Sequence, residues 1–264
     1  VYSILSCKFT LYKNALRYYK IRIRLLIRSI IRYLRSLRGS LPDMSIDELS
    51  ESAENYLKTI YRLMPGGKGY VKPKLLAEFM AYAPSTVTIT LQRLAKKGYL
   101  EYLRYQGVRL TERGIIRVAR ILRAHRMCEV FFHDKLGHDL IAAHNEACRT
   151  EHVLSEDTIN RLEVFLDYPK FCPHGNPIPD RNLRIAEPDD IPLLEAGLGK
   201  FIVSRIAFEA PEVLALVIHT NIKPGADIEI LKIDKINRVL VVQVKSQKQV
   251  IPMKFACVVM VKSS

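Results

Sequence analysis

The chain has 264 residues, of which 48% are hydrophobic, and its formal net charge is +14. This length predicts two or three domains. No uncharged apolar run approaches the roughly 18 residues that span a membrane, so no membrane partner is expected. Five widely spaced cysteines without a CxxC pair exclude a zinc ribbon, argue against a disulfide framework and indicate the reducing cytoplasm.

Residues 1–43 form a basic N-terminal extension. The first 42 residues contain ten Lys or Arg and no Asp or Glu, which leaves a net charge of only +4 for the rest of the chain. One interpretation is that the extension is not native and that the protein starts at Met44. The alternative is a basic amphipathic helix that lies on an anionic membrane or on DNA. The net charge is therefore weak support for DNA binding by the folded part.

Residues 44–112 are predicted to form a winged-helix DNA-binding domain. Apolar spacing predicts helices over residues 45–63, 72–80 and 84–97. A strand, a turn and a second strand follow within residues 99–110. This order is that of a winged helix-turn-helix.

The third helix is the expected recognition helix, because small hydroxyl side chains at its start would allow a close approach to base edges. Basic residues there and in the hairpin would contact phosphates. The alternative is an ordinary helical hairpin with solvated charges. The candidate DNA-binding residues are Ser85, Thr86, Thr88, Gln92, Arg93, Lys96, Arg104 and Arg109.

Residues 113–182 carry a pattern of metal-ligand side chains, on predicted helices over residues 111–133 and 139–166. His144, Cys148, Glu151 and His152 fall at i, i+4, i+7 and i+8, which would place them on one helical stripe. Imidazole, thiolate and carboxylate together suit a divalent transition metal rather than calcium or magnesium. A metal-dependent hydrolase and a constitutive architectural DNA-binding protein stay open as alternatives, although GxSxG and HExxH motifs are absent.

The last third of the chain predicts a small β-barrel over residues 197–264, after a linker at residues 183–196. Short strands are expected at residues 200–206, 226–233, 239–244 and 256–261, with a helix at residues 213–219. The whole chain is therefore predicted to be an α+β protein.

These patterns together resemble one known family, the diphtheria-toxin-repressor family of iron- and manganese-dependent regulators. The resemblance is carried by SAENYLKTIYRL, PSTVTITLQRLAKKGYL, LTERG, RAHRMCEVFF, AHNEACRTEHVLSEDTINRLEVFL and CPHGNPIP. It implies a homodimer that binds a palindromic operator when loaded with metal. It also implies an SH3-like C-terminal domain and a repressor of metal-uptake or metal-homeostasis genes, which is not an enzyme.

The resemblance further implies two metal sites and an anion site. The activating metal site corresponds to Cys148, Glu151 and His152, with Asn55 at the position of the fourth ligand. The other metal site corresponds to His125, Glu129 and His144, completed by Glu209 and Glu212. The anion site corresponds to Arg126 and Asn176. Cys148 favours Fe(II) as the metal, with Mn(II) as the alternative.

Overall fold

A computed structural model of the chain describes residues 49–64 and 69–263. The basic extension of residues 1–43 lies outside the described residues. Within the described ranges, no helix combines the length and apolar character that crossing a membrane requires.

The first region is a winged helix-turn-helix. Its elements are α1 (Glu51–Leu63), α2 (Pro73–Met80), α3 (Pro84–Lys96), β1 (Leu100–Leu103) and β2 (Gly107–Leu110). The helix expected from residue 45 begins at Glu51 in the described part, because the Ser50 side chain caps it by accepting from the Ala53 N–H at 3.3 Å. Gly107 has a φ of +119°, and a Cβ there would lie 2.2 Å from the Val71 carbonyl oxygen, so only glycine allows this wing to close.

A helical region follows, formed by α4 (Glu112–Val130), a π-helical turn (Phe131–Lys135), α5 (Leu140–Thr150) and α6 (Glu156–Phe165). The prediction of one helix over residues 139–166 is wrong. The Ser155 hydroxyl accepts from the Thr158 N–H at 3.2 Å and starts a new helix, so residues 151–155 separate α5 from α6.

The C-terminal region is an SH3-like sheet with two helices. Its elements are β3 (Ile191–Pro192), β4 (Gly199–Ile206), α7 (Pro211–Thr220), β5 (Asp227–Asp234), β6 (Val239–Val244), β7 (Gln247–Pro252), α8 (Met253–Ala256) and β8 (Val259–Ser263). The strands are antiparallel in the order β3-β8-β4-β5-β6-β7. The strand expected at residues 256–261 begins only at Val259, β7 was not predicted, and β3 falls within the expected linker.

Three clusters of buried apolar side chains underlie these regions. The first runs from Tyr56 to Leu122, the second joins α4 to α6 and includes Cys172, and the third fills the C-terminal sheet. Ile185, from the expected linker, packs against the first cluster, and Leu140, at the start of α5, packs against the third. The functional side chains described next lie where these regions meet.

Candidate metal centre and DNA-binding face

Glu129 on α4 is the centre of a buried cluster of imidazoles. Its side chain is 0% exposed, and its Oε1 atom lies 2.9 Å from His125 Nε2, 2.9 Å from His144 Nδ1 and 3.2 Å from His174 Nδ1. Among the described residues, Glu129 Oε2 and His174 Nε2 are buried without a hydrogen-bond partner. Buried polar atoms without partners are costly, so this cluster has unused ligand capacity inside the protein.

Local structure explains how these side chains meet. His125 and Glu129 lie one turn apart on α4, and His144 lies on α5, which packs against α4. His174 belongs to a loop closed by a bridge between Phe171 and Pro177. Gly175 in that loop has a φ of +81°, and a Cβ there would lie 2.3 Å from the carbonyl oxygen of Ser204 on β4. Glycine therefore lets the loop press against the C-terminal sheet.

Glu209, just before α7, brings the C-terminal region into the cluster. It is 6% exposed; its Oε1 atom accepts from Asn176 Nδ2 at 2.7 Å, and Arg62 Nη2 lies 3.2 Å from Oε2. Ligand atoms that lie within 4.8 Å of one another form two sets around it: His125, Glu129, His144 and Glu209, and Glu129, Cys172, His174 and Glu209. Glu212, which was expected beside Glu209, is exposed on the first turn of α7.

Cys148 shares a set with His125 and His144 rather than with the two residues that end its own segment. Its Sγ atom lies 3.5 Å from His144 Nε2, and the three ligand atoms lie within 4.8 Å of one another. Among the described residues, no such set contains Cys148 together with Glu151 or His152. α5 ends at Thr150, with Glu151 as its C-cap, so Glu151 and His152 follow the last residue of the helix.

Glu151 and His152 instead join α5 to α1. Glu151 is paired with Lys58, and its Oε2 atom lies 2.6 Å from His125 Nδ1. His152 Nδ1 lies 2.5 Å from Glu54 Oε2. Asn55, the expected fourth ligand, is half-buried beside Glu54. The described contacts between α1 and the end of α5 therefore run through two carboxylates, a lysine and an imidazole.

The electrostatics of the cluster favour ionised ligands. Burial alone would raise the pKa of Glu129, but the charges of His125 and His174 hold that pKa well below its usual range. Burial also raises the pKa of the Cys148 thiol, but hydrogen bonds with His125 and His144 outweigh it and lower the pKa to about 6. Burial lowers the pKa of His144, but its hydrogen bonds to Cys148 and Glu129 prevail and raise it to about 9. The group thus holds a carboxylate and a thiolate against protonated imidazoles, charges that a divalent cation could replace.

Four residues of this arrangement were not identified from the sequence. Cys172 and His174 are separated by one residue within CPHGNPIP, and that spacing of two ligand types was a usable signal. Glu54 and Lys58, one turn apart on α1, gave no such signal because their partners lie on α5.

The expected anion-site residues lie beside the cluster and contact protein groups. Arg126 Nη1 donates to the Pro177 carbonyl at 2.5 Å. Asn176 is 1% exposed, and its amide hydrogens go to the Ile206 carbonyl and to Glu209. Anion binding at Asn176 would therefore require one of these hydrogen bonds to break.

The expected DNA-binding side chains lie on the surface of α3 and the wing. Thr88 is half-buried, and the others are exposed. Arg109 forms an ion pair with Glu101 on the neighbouring strand, with 2.5 Å between Nε and Oε2. The guanidinium of Arg109 also stacks over the Tyr70 ring, and that of Arg104 stacks over the Tyr105 ring. The expected DNA-binding residues of α3 and of the wing are therefore accessible, apart from the half-buried Thr88.

Comparison with known proteins places this geometry in context. Residues 48–108 match the family described as "Iron dependent repressor, N-terminal DNA binding domain", and residues 111–180 match "Iron dependent repressor, metal binding and dimerisation domain". An uncharacterised HTH-type transcriptional regulator of Methanocaldococcus jannaschii is 36% identical over 119 residues, covering 45% of this chain and 95% of that protein. The diphtheria toxin repressor of Corynebacterium glutamicum is 31% identical over 164 residues, covering 60% and 72%.

Among solved structures, the ScaR protein with bound Zn²⁺ is similar over most of the chain. Its TM-score is 0.74 at 30% sequence identity, covering 80% of this chain and 99% of that one. The likeness therefore extends beyond the two matched domains into the C-terminal sheet.

Proposed function

The chain belongs to the family of iron-dependent repressors and is a metal-dependent, DNA-binding transcriptional regulator, and on that premise we propose that the cluster around Glu129 is its metal centre. The main support is the buried carboxylate of Glu129: one of its oxygens lies within 3.2 Å of three imidazole nitrogens, and the other has no hydrogen-bond partner. A divalent metal supplies positive charge and fixed ligand directions, which such a group requires to be fully satisfied.

We assign three overlapping sets of holding residues, two of which contain a cysteine. They are His125, His144 and Cys148; His125, Glu129, His144 and Glu209; and Glu129, Cys172, His174 and Glu209. Glu151 and His152, which follow α5, would give up their present partners on α1, Lys58 and Glu54, to bind a metal. Asn55, the expected fourth ligand, lies in the same turn of α1 as Glu54. Since the sets contain sulfur, Fe(II) is preferred over Mn(II).

The control of DNA binding is proposed to pass through α1. Its Lys58 and Glu54 contact Glu151 and His152 at the end of α5, so the position of α1 relative to the helical region depends on these carboxylates and imidazoles. Metal binding that is stronger in one arrangement of α1 shifts the population towards that arrangement. In a homodimer, this would fix two α3 helices about 34 Å apart on a palindromic operator.

The remaining assignments follow from the three apolar clusters and from the matched families. We divide the chain into a DNA-binding domain at residues 44–112, a metal-binding and dimerisation domain at residues 113–182 and an SH3-like domain at residues 197–264. The three clusters support three domains, with the first cluster also taking in Val118 and Leu122 from α4. The reducing conditions that free thiols and Fe(II) need support a cytoplasmic location.

The test is operator binding with and without metal. Full-length protein, purified anaerobically, is assayed by DNA mobility shift with Fe(II), with Mn(II) and with chelator. Metal should tighten operator binding, and Cys148→Ala should remove that effect while leaving the fold intact. Cys257→Ala is the matched control, because Cys257 is an exposed cysteine outside the cluster. Equal affinity with metal and with chelator would refute the metal switch.

A further inference from the structure

The exposed face of α3 has an isoleucine at its centre. The buried face of this helix consists of Val87, Leu91 and Leu94. At 100° per residue, Ile89 points about 170° away from the centre of that buried face. Its side chain is 58% exposed. Ile89 therefore contributes little to the hydrophobic core, although it is one of the most apolar residues of the helix.

The neighbours of Ile89 are the polar residues expected to face DNA. Ser85 lies one turn before it on the same face, and Gln92 and Arg93 lie one turn after it. An isoleucine between them can neither donate nor accept a hydrogen bond. Whatever it contacts in the complex must offer an apolar surface.

The hydroxyl groups of the two threonines beside Ile89 donate hydrogen bonds to the helix backbone. The Thr88 hydroxyl donates to the Pro84 carbonyl at 2.8 Å, and the Thr90 hydroxyl donates to the carbonyl four residues before it at 2.9 Å. The middle of the helix is therefore poorer in free hydrogen-bond donors than its composition indicates. Donors for base edges are left to Ser85 and Thr86 at one end and to Gln92 and Arg93 at the other.

In the major groove, the apolar feature on a base edge is the C5-methyl group of thymine. We propose that Ile89 is a specificity residue that selects thymine by packing its side chain on this methyl group in each operator half-site. The inference rests on the proposed DNA-binding face and adds to it the chemistry of one contact. Ile89 was not among the residues expected to contact DNA, because an aliphatic side chain on a recognition helix resembles a core position in sequence.

The test removes only the methyl group. A binding duplex is first selected from a random library with the metal-loaded full-length protein. Each thymine of that duplex is then replaced singly by deoxyuridine, which keeps every hydrogen-bonding atom, and affinity is measured by fluorescence anisotropy at constant salt. At the contacted thymine, affinity should fall about fourfold for one half-site and about fifteenfold for both, as expected for one buried methyl group each.

The variant that links the effect to this residue is Ile89→Ala. It should bind the thymine and deoxyuridine duplexes equally at the contacted position, while the salt dependence set by phosphate contacts stays unchanged. Ile236→Ala is the matched control, because this isoleucine is 94% exposed in the turn between β5 and β6, and its discrimination should match that of the parent protein.

Two results would overturn the inference while leaving the proposed function intact. One is that no deoxyuridine substitution weakens binding, and the other is that Ile89→Ala keeps the parent's preference for thymine at every position. Failure of the metal-loaded protein to enrich any sequence would instead overturn the proposed function, and the inference with it.

Discussion

Lys58→Met should separate the stability of the metal-free protein from that of the metal-loaded protein. The Lys58 side chain is 7% exposed and is paired with Glu151, whose side chain is 1% exposed. Removing one partner of a buried ion pair costs about 3–5 kcal/mol. His125 and His152 also contact Glu151 and retain part of the counter-charge, so the expected loss without metal is about 2–3 kcal/mol.

The metal-loaded protein should lose much less, because the cation provides the positive charge that Lys58 provided. By linkage, the variant should then bind metal roughly 30- to 150-fold more tightly than the parent protein. The assay is urea unfolding of both proteins with chelator and with Mn(II), compared at their transition midpoints and slopes. The matched control is Lys74→Met, because Lys74 forms an exposed pair with Glu78 and should show no measurable loss.

Equal losses with and without metal would refute the assignment of Glu151 to the metal centre. A loss with chelator as small as that of Lys74→Met would show that the buried pair does not stabilise the metal-free protein.

Three further predictions address the rest of the site. Metal affinity should rise from neutral pH to about pH 9, because His144 and His152, whose pKa values are raised to about 9, must lose protons to bind a cation. Calorimetry in two buffers should detect the released protons, and a pH-independent affinity would contradict the prediction. Phe208→Ala should lower the free energy of unfolding by about 1–2 kcal/mol and speed hydrogen exchange in α2, because the Phe208 ring packs edge-on against Phe79 and under Arg62. Unchanged exchange in α2 would show that Phe208 does not stabilise this helix. Gly175→Ala should lower the thermal midpoint and weaken metal binding, since its Cβ would meet backbone; parent-like behaviour in both would show that the loop does not position ligands.

The helices of the winged region could be predicted because their signals are local. Each helix repeats apolar residues at helical spacing and is bounded by a cap, a proline or a glycine. The helical region was misjudged where one polar residue decided the outcome, since Ser155 ends the apparent continuity between α5 and α6. The strand β7 was missed because half of its sequence, QKQVIP, is polar and because it lies at the edge of the sheet. An edge strand of this kind buries too few side chains to produce an alternating apolar pattern.

The ligands of the candidate site likewise fall into two groups, those that were anticipated and those that only the structure revealed. The family resemblance grouped His125, Glu129 and His144 in one site, and the structure brings these three together. Cys172 and His174 come from a loop and Glu54 from α1, and no helical periodicity relates such positions to the others. Their convergence depends on tertiary packing, including the glycine contact that seats the loop on the C-terminal sheet.

The position of Glu209 has a consequence for how the protein is made. The buried residues of the winged region's apolar cluster all lie at or before Leu122, so the DNA-binding fold can form while later residues are still being synthesised. Glu209 follows β4 in the C-terminal sheet and is therefore among the last ligands to leave the ribosome. A nascent chain would therefore present its recognition helix before the ligand sets that contain Glu209 could be complete.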